Sequence, residues 1–188
     1  MGRNEERVSM HEQIICAGFG GQGIMVMGKL LAQTGMEEGY NVTWLPSYGA
    51  EVRGGTAHSM VHISDGIIAS PTITEVDTCI AMNKPSLLKF MKKIKKGGLL
   101  IVNTSMVDNI VEKKAIKVVG FPFTQLAAEL GNVKVANTIA VGAFTRLKKL
   151  FSPESVLRQI EEMLSKRKDL IAINEKAFKA GYGLMDKE

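Results

Sequence analysis

The chain has 188 residues, of which 45% are apolar and 23% charged, with two cysteines and a formal net charge of +5. This length suits one domain that buries roughly 70% of its unfolded surface, so the core needs neither metal nor disulfide support. Neither cysteine has a Cys-x-x-Cys neighbour, which excludes a zinc or iron–sulfur site built from this chain alone, and no run approaches the ~20 apolar residues of a membrane span.

Residues 1–12 read as a flexible polar N-terminus without the apolar centre of a secretion signal. Residues 13–188 read as one domain. An apolar strand over 13–17 leads into Gly18-Phe19-Gly20-Gly21-Gln22-Gly23, and a helix follows over 22–38, stopped by Gly39. Strand, glycine turn and helix leave backbone N–H groups unpaired at a helix start, where the dipole also favours an anion. Gly18, Gly20 and Gly23 spell the spacing of a dinucleotide fingerprint. That fingerprint also needs a carboxylate at the end of the second strand. Here the strand over 40–45 ends in Pro46-Ser47, with Glu37 and Glu38 before it and Glu51 well past it. The turn suits an anion, and the missing carboxylate counts against an ordinary NAD site. A turn used only for close strand–helix packing is the competing reading.

Further along, strands over 58–63 and 67–69 flank Ser64-Asp65-Gly66, which reads as a tight β-hairpin. A strand over 76–82 precedes a helix over 85–95, ended by Gly97-Gly98, and strands over 99–103 and 116–121 follow. The last third is helical. Thr124 reads as a cap for 124–130, Asn137 as a cap for a helix through 150, and Ser152-Pro153-Glu154 as the start of another. Gly181 reads as the stop of a final helix over 170–180. The expected architecture is α/β: a Rossmann-like layered sandwich on a mostly parallel sheet, with an embedded β-hairpin and a helical C-terminal third.

The loop Ser47-Tyr48-Gly49-Ala50-Glu51-Val52-Arg53-Gly54-Gly55 should leave the same sheet edge as the glycine turn, where ligands of α/β sheets collect. Arg53 forks onto a phosphate or carboxylate, pairs with Glu51, or braces a subunit interface. Tyr48 faces a substrate or stacks on a neighbouring subunit. The basic segments 89–96, 113–117, 146–149 and 158–168 read as solvated helix faces, with a polyanionic cofactor or acidic partner as the other reading. Nothing interleaves aromatic and basic residues as a nucleic-acid surface would. His58 and His62 stand ~13 Å apart if both lie on one strand, too far for one metal. Cys16 and Cys79 lie in strand-like runs and read as buried thiols of a reducing cytosol.

The two glycine motifs in this order, with Ile63-Ser64-Asp65, Ala81-Met82-Asn83 and Val135-Ala136-Asn137, resemble the gamma subunit of 2-oxoacid:ferredoxin oxidoreductases, in the 2-oxoglutarate or general 2-oxoacid branch. The resemblance implies CoA-dependent oxidative decarboxylation of a 2-oxoacid to acyl-CoA and carbon dioxide, with ferredoxin reduced. It implies thiamine diphosphate and [4Fe-4S] clusters in partner subunits, and this chain on the coenzyme A side. The partners implied are alpha, beta and ferredoxin-like delta subunits and ferredoxin, in the cytoplasm, with no nucleic acid or membrane. The cofactor-binding candidates are Gly18, Gly20, Gly21, Gln22, Gly23, Ser47, Tyr48, Glu51, Arg53, Gly54 and Gly55; no residue is assigned to catalysis or metal. Ser64-Asp65-Gly66 lacks the first glycine of a thiamine diphosphate motif, and no Asn-Asn follows it. The chain is therefore expected to be inactive alone. A free-standing Rossmann-type nucleotide-binding protein is the alternative, and a nucleic-acid module would rest on charge only.

Overall fold

The computed structural model describes residues 10–47, 56–108 and 114–187. Its sheet has six strands, β1 (His11–Phe19), β2 (Asn41–Ser47), β3 (Thr56–Ser64), β4 (Val76–Ala81), β5 (Ile94–Asn103) and β6 (Lys117–Phe121). Their spatial order is β2-β3-β1-β4-β5-β6. Only β3 runs against its neighbours, β1 and β2; the pairs β1–β4, β4–β5 and β5–β6 are parallel. Two reversals cancel, so β1 and β2 point the same way and end at the same edge.

Alternation along the strands sorts side chains onto two faces. Ile14 and Cys16 face the larger core, beneath α1 (Ile24–Glu37), α3 (Phe123–Glu129), α4 (Ala136–Lys148), α5 (Pro153–Met163) and α6 (Ile171–Tyr182). Ile15, Ala17 and Cys79 face a smaller core covered by α2 (Lys84–Phe90). The layered α/β sandwich, its mostly parallel sheet and its helical last third are as the sequence reads.

Several local signals act as expected. Gly39, at φ +86°, follows the end of α1, and Ser152 caps α5 by accepting from the Ser155 N–H at 3.1 Å, ahead of Pro153.

Others are corrected. The hairpin about Ser64-Asp65-Gly66 does not form, and residues 67–69 are not a strand. The Asp65 carboxylate instead accepts from the Met10 N–H at 3.0 Å while the Asp65 N–H donates to the Met10 carbonyl, which continues the β1–β3 pairing. The antiparallel hairpin of this sheet is β2–β3, joined through residues 48–55. Of the polar N-terminus read as 1–12, His11 and Glu12 belong to β1, and residues 1–9 lie outside the described residues.

Gly97-Gly98 does not end a helix. The α2 helix stops at Phe90, a 3-10 turn covers Met91–Lys93, and both glycines lie in β5 where its register with β4 slips. Gly97 takes φ +80° at this irregularity, the backbone state for which glycine carries least strain. Thr124 is not the cap of α3; Pro122 holds that position, and Thr124 is pinned from the first turn by Asn103. Asn137 is not a cap either, since it sits inside α4, whose entry is a 3-10 turn capped by Asn132.

Gly181 does not stop the last helix. It lies inside α6, where a Cβ would meet the Ile139 carbonyl of α4, and a Cβ on Gly142 would meet the Phe178 carbonyl in return. The two helices therefore touch backbone to backbone.

At the other end of α4, the Lys148 ammonium lies 2.7 Å from the Glu12 carboxylate, whose second oxygen accepts from the Thr78 hydroxyl at 2.6 Å. Burial raises the Glu12 pKa, and the Lys148 and Thr78 hydrogen bonds only partly oppose it. Both cysteines are fully buried. Burial pushes the Cys16 thiol up, with a smaller push from Cys79, and holds Cys79 itself at about 12.

Candidate functional site

The glycine turn is closed by one reciprocal pair. The Phe19 N–H donates to the Gln22 side-chain oxygen at 2.7 Å, and the Gln22 N–H donates to the Phe19 carbonyl at 3.2 Å. Gly21 and Gly23 both take left-handed backbone angles, φ +90° and +70°. Gly23 is the N-cap of α1 and provides no side-chain cap. The first bond back along α1 runs from Met27 N–H to Gly23 carbonyl at 2.9 Å. The N–H groups of Ile24, Met25 and Val26 thus lie ahead of the helical ladder, as the first turn of any helix requires. No acidic residue lies in that turn to offset the positive end of the dipole.

The four glycines and Gln22 divide into two jobs. A Cβ on Gly20 or Gly21 would meet open space, and these two line a cavity of about 250 Å³ with Phe19, Ile24, Met25 and Ala57. A Cβ on Gly18 would approach the Gln22 side-chain oxygen and Ile24 to 2.6 Å, so Gly18 serves strand–helix packing. A Cβ on Gly23 would land on the Asn137 amide. The Gln22 amide is held within the protein, its oxygen also accepting from the Asn83 amide at 3.0 Å and its nitrogen donating to the Met82 carbonyl at 3.4 Å. It ties the turn to the end of β4 and so braces the cradle.

Ser47 ends β2 opposite His58 of β3, and His58 lies opposite Ala17 of β1. Ser47 and the glycine turn therefore share one sheet edge, two strand spacings or about 10 Å apart. The chain returns at Thr56, which pairs with Phe19. Tyr48, Glu51, Arg53, Gly54 and Gly55 lie outside the described residues.

A second cavity, about 220 Å³, adjoins the other flank of the turn, where Gly21 and Gln22 meet Met82, Met106, Thr124 and Lys134. It stands over the C-terminal ends of β1 and β4, the point where strand order reverses. Sequence reading missed Asn83, Asn137 and Lys134. Asn83 and Asn137 stood in quoted motifs, but nothing in their spacing said that they reach the turn.

On the opposite face of the sheet, the His62 and His11 Nε2 atoms lie 2.8 Å apart, and His62 is buried. Burial, then the His11 charge, lowers the His62 pKa. Among the described residues no three potential ligands come together for a metal, and no helix is long and apolar enough to cross a membrane.

The profile of the pyruvate ferredoxin/flavodoxin oxidoreductase family matches residues 13–184. The ketoisovalerate oxidoreductase subunit VorA of Methanothermobacter marburgensis is 36% identical over 88% of this chain, and the match spans 34% of that protein. The chain thus covers about a third of the length of this relative. The 2-oxoglutarate synthase subunit KorC of Methanocaldococcus jannaschii is 32% identical over 92% of this chain and 95% of its own length. Among solved structures, the gamma subunit of a keto/oxoacid ferredoxin oxidoreductase from Geobacter sulfurreducens superposes with a TM-score of 0.78 at 28% identity, covering 91% of this chain and 96% of that one. A 2-oxoglutarate:ferredoxin oxidoreductase from Magnetococcus marinus, solved with 2-oxoglutarate, coenzyme A and succinyl-CoA, shares the fold with a TM-score of 0.85 at 24% identity, over 95% of this chain and 31% of that one. With a family profile spanning nearly all of its length and a near-full-length relative at this identity, the chain belongs to the pyruvate ferredoxin/flavodoxin oxidoreductase family, as a protein of the gamma-subunit type.

Proposed function

We propose that this chain is the gamma subunit of a cytoplasmic 2-oxoacid:ferredoxin oxidoreductase that converts 2-oxoglutarate and coenzyme A to succinyl-CoA and carbon dioxide. Its alpha, beta and ferredoxin-like delta partners hold the thiamine diphosphate and [4Fe-4S] clusters, and ferredoxin takes the electrons. This chain supplies part of the coenzyme A site. The choice of 2-oxoglutarate is supported by relatives of matching length that are 2-oxoglutarate synthase subunits.

The observation that carries the coenzyme A role is the uncapped start of α1, bordered by a cavity that Gly20 and Gly21 leave open. Coenzyme A brings a pyrophosphate, and a helix start with free N–H groups and no acidic neighbour favours such a group. Gly18 and Gln22 hold the turn, Gly21 and Gly23 give it its backbone angles, and Ser47 ends β2 at the same edge, with Tyr48, Glu51, Arg53, Gly54 and Gly55 as the further candidate contacts for coenzyme A. Nothing in this division requires the chain to react with substrate.

Co-expression with alpha, beta and delta subunits tests the reading. The complex should reduce ferredoxin only when 2-oxoglutarate and coenzyme A are both present, whereas the isolated chain should be colourless and inactive. Iron–sulfur absorbance in the isolated chain, or turnover without the partners, overturns it.

A further inference from the structure

We propose that Asn137 is a positioning residue for the glycine cradle. From the first turn of α4 it fixes Gly23, and through Gly23 it aims the first N–H groups of α1. The inference rests on the reading of that cradle as the coenzyme A phosphate site.

Gly23 has no side chain with which to cap its own helix, and its left-handed angle is one that many glycines leave and re-enter freely. Met27 holds its carbonyl from within α1, and a second hold comes from outside that helix. The Asn137 amide nitrogen donates to the Gly23 carbonyl at 3.2 Å, across 114 residues of chain, beside the helical bond from Met27. The same amide occupies the space that a Cβ on Gly23 would need, so the contact excludes other residues as well as binding this one.

The helix that carries Asn137 is itself held from behind. The Thr138 hydroxyl donates to the Asn174 side-chain oxygen on α6 at 2.7 Å and lies 3.4 Å from the Asn137 oxygen. The Asn174 nitrogen donates to the Leu170 carbonyl at 2.9 Å. Behind this polar chain, α4 and α6 meet backbone to backbone at Gly142 and Gly181. The α6 helix is thus joined to α4, and α4 to the cap of α1 through the Asn137 bond. Donors held in place before a ligand arrives bind it without the cost of ordering them first.

The test uses the assembled four-subunit complex with Asn137→Asp, which keeps the shape but replaces the donor with an oxygen facing the Gly23 carbonyl. Loss of one buried bond and its replacement by a repulsive contact should raise the KM for coenzyme A about tenfold. The KM for the 2-oxoacid should not move, and kcat should fall less than about twofold. Hydrogen exchange of residues 21–26, measured without coenzyme A, should quicken. A fall in kcat at unchanged KM for coenzyme A, with unchanged exchange, marks a merely structural residue and overturns the inference. If Asn137→Asp does not assemble, Asn137→Ala carries the test, because it removes the donor without setting an oxygen against the Gly23 carbonyl. A raised KM for coenzyme A then supports the inference and an unchanged one overturns it. Gly21→Val separates the two claims. If it raises the KM while Asn137→Asp does not, the inference fails and the coenzyme A reading stands. If neither variant moves the KM, the coenzyme A reading fails, and the exchange rates decide whether Asn137 positions the turn at all.

Discussion

The β1–α1 turn and the α4–α6 crossing both depend on glycine, and they do so for opposite reasons. At the β1–α1 turn, Gly21 adopts a left-handed angle and a Cβ there would meet nothing. At the α4–α6 crossing, Gly142 and Gly181 keep the ordinary sign of φ, and a Cβ on either would strike the other helix's backbone. One glycine is required by torsion and leaves a space beside it; the other pair is required by contact and leaves none. A glycine of the first kind leaves the surface beside it uncovered. A pair of the second kind marks the frame that the open surface is hung on.

The largest effect should fall on the frame. Gly181→Val drives a branched side chain into a carbonyl that cannot move aside, and should cost more than about 3 kcal/mol, with Tm lower by roughly 10 °C in a thermal melt. A small change would mean that α4 and α6 can separate easily. Next comes the far end of α4. Lys148→Met strips the buried Glu12 carboxylate of its counter-ion and should cost about 2 kcal/mol near neutral pH.

That cost has a definite pH dependence. Burial holds the folded-state pKa of Glu12 above its ordinary value, so the ionised form is penalised on folding. The penalty is absent at low pH, where the group is protonated in both states, and grows as pH rises through the ordinary value toward the raised one. Without Lys148 the pKa rises further, so the variant should lose more stability at about pH 7.5 than at about pH 4.5 in denaturant titrations. Equal losses at both would show that the pair is better solvated than its burial implies.

Smaller effects on stability belong to the open turn. Gly21→Val should cost about 1–2 kcal/mol through its backbone angle alone, leaving a folded chain whose complex uses coenzyme A poorly. Arg53→Ala should leave the melting curve unchanged. If its guanidinium meets coenzyme A, KM for coenzyme A should rise by the worth of a charge-assisted bond, about 1.5–3 kcal/mol. If it braces an interface, the complex should dissociate more readily with normal kinetics in the assembled fraction. Normal assembly with normal kinetics removes Arg53 from the site.

What the sequence disclosed follows the range of the forces involved. The glycine turn, the stop at Gly39 and the Ser152-Pro153 start depend on a few adjacent residues, and they fold as the local signals say. Asp65-Gly66 misled because Met10, 55 residues away, pairs with Asp65 and completes a ladder that no local window contains. Gly97-Gly98 has the composition of a helix stop, yet the pairing of β4 with β5 uses it to absorb a slipped register. Gly181 was legible as a glycine near a helix end but not as half of a helix crossing. The candidate site divides the same way. The cradle was visible, whereas the Asn137 and Asn83 amides that hold it reach it only through the fold.

The buried thiols make this chain its own stopwatch. Cys16 and Cys79 lie on adjacent strands but on opposite faces of the sheet, one under each helical layer. Burial keeps both protonated and out of reach, so a water-soluble disulfide reagent can modify either only during an excursion that uncovers it. The labelling rate of Cys79 then times the lifting of the α2 side, and that of Cys16 the lifting of the five-helix side. Matched rates would mean that both layers open as one cooperative unit; a faster Cys79 would mean that the thin layer breathes independently.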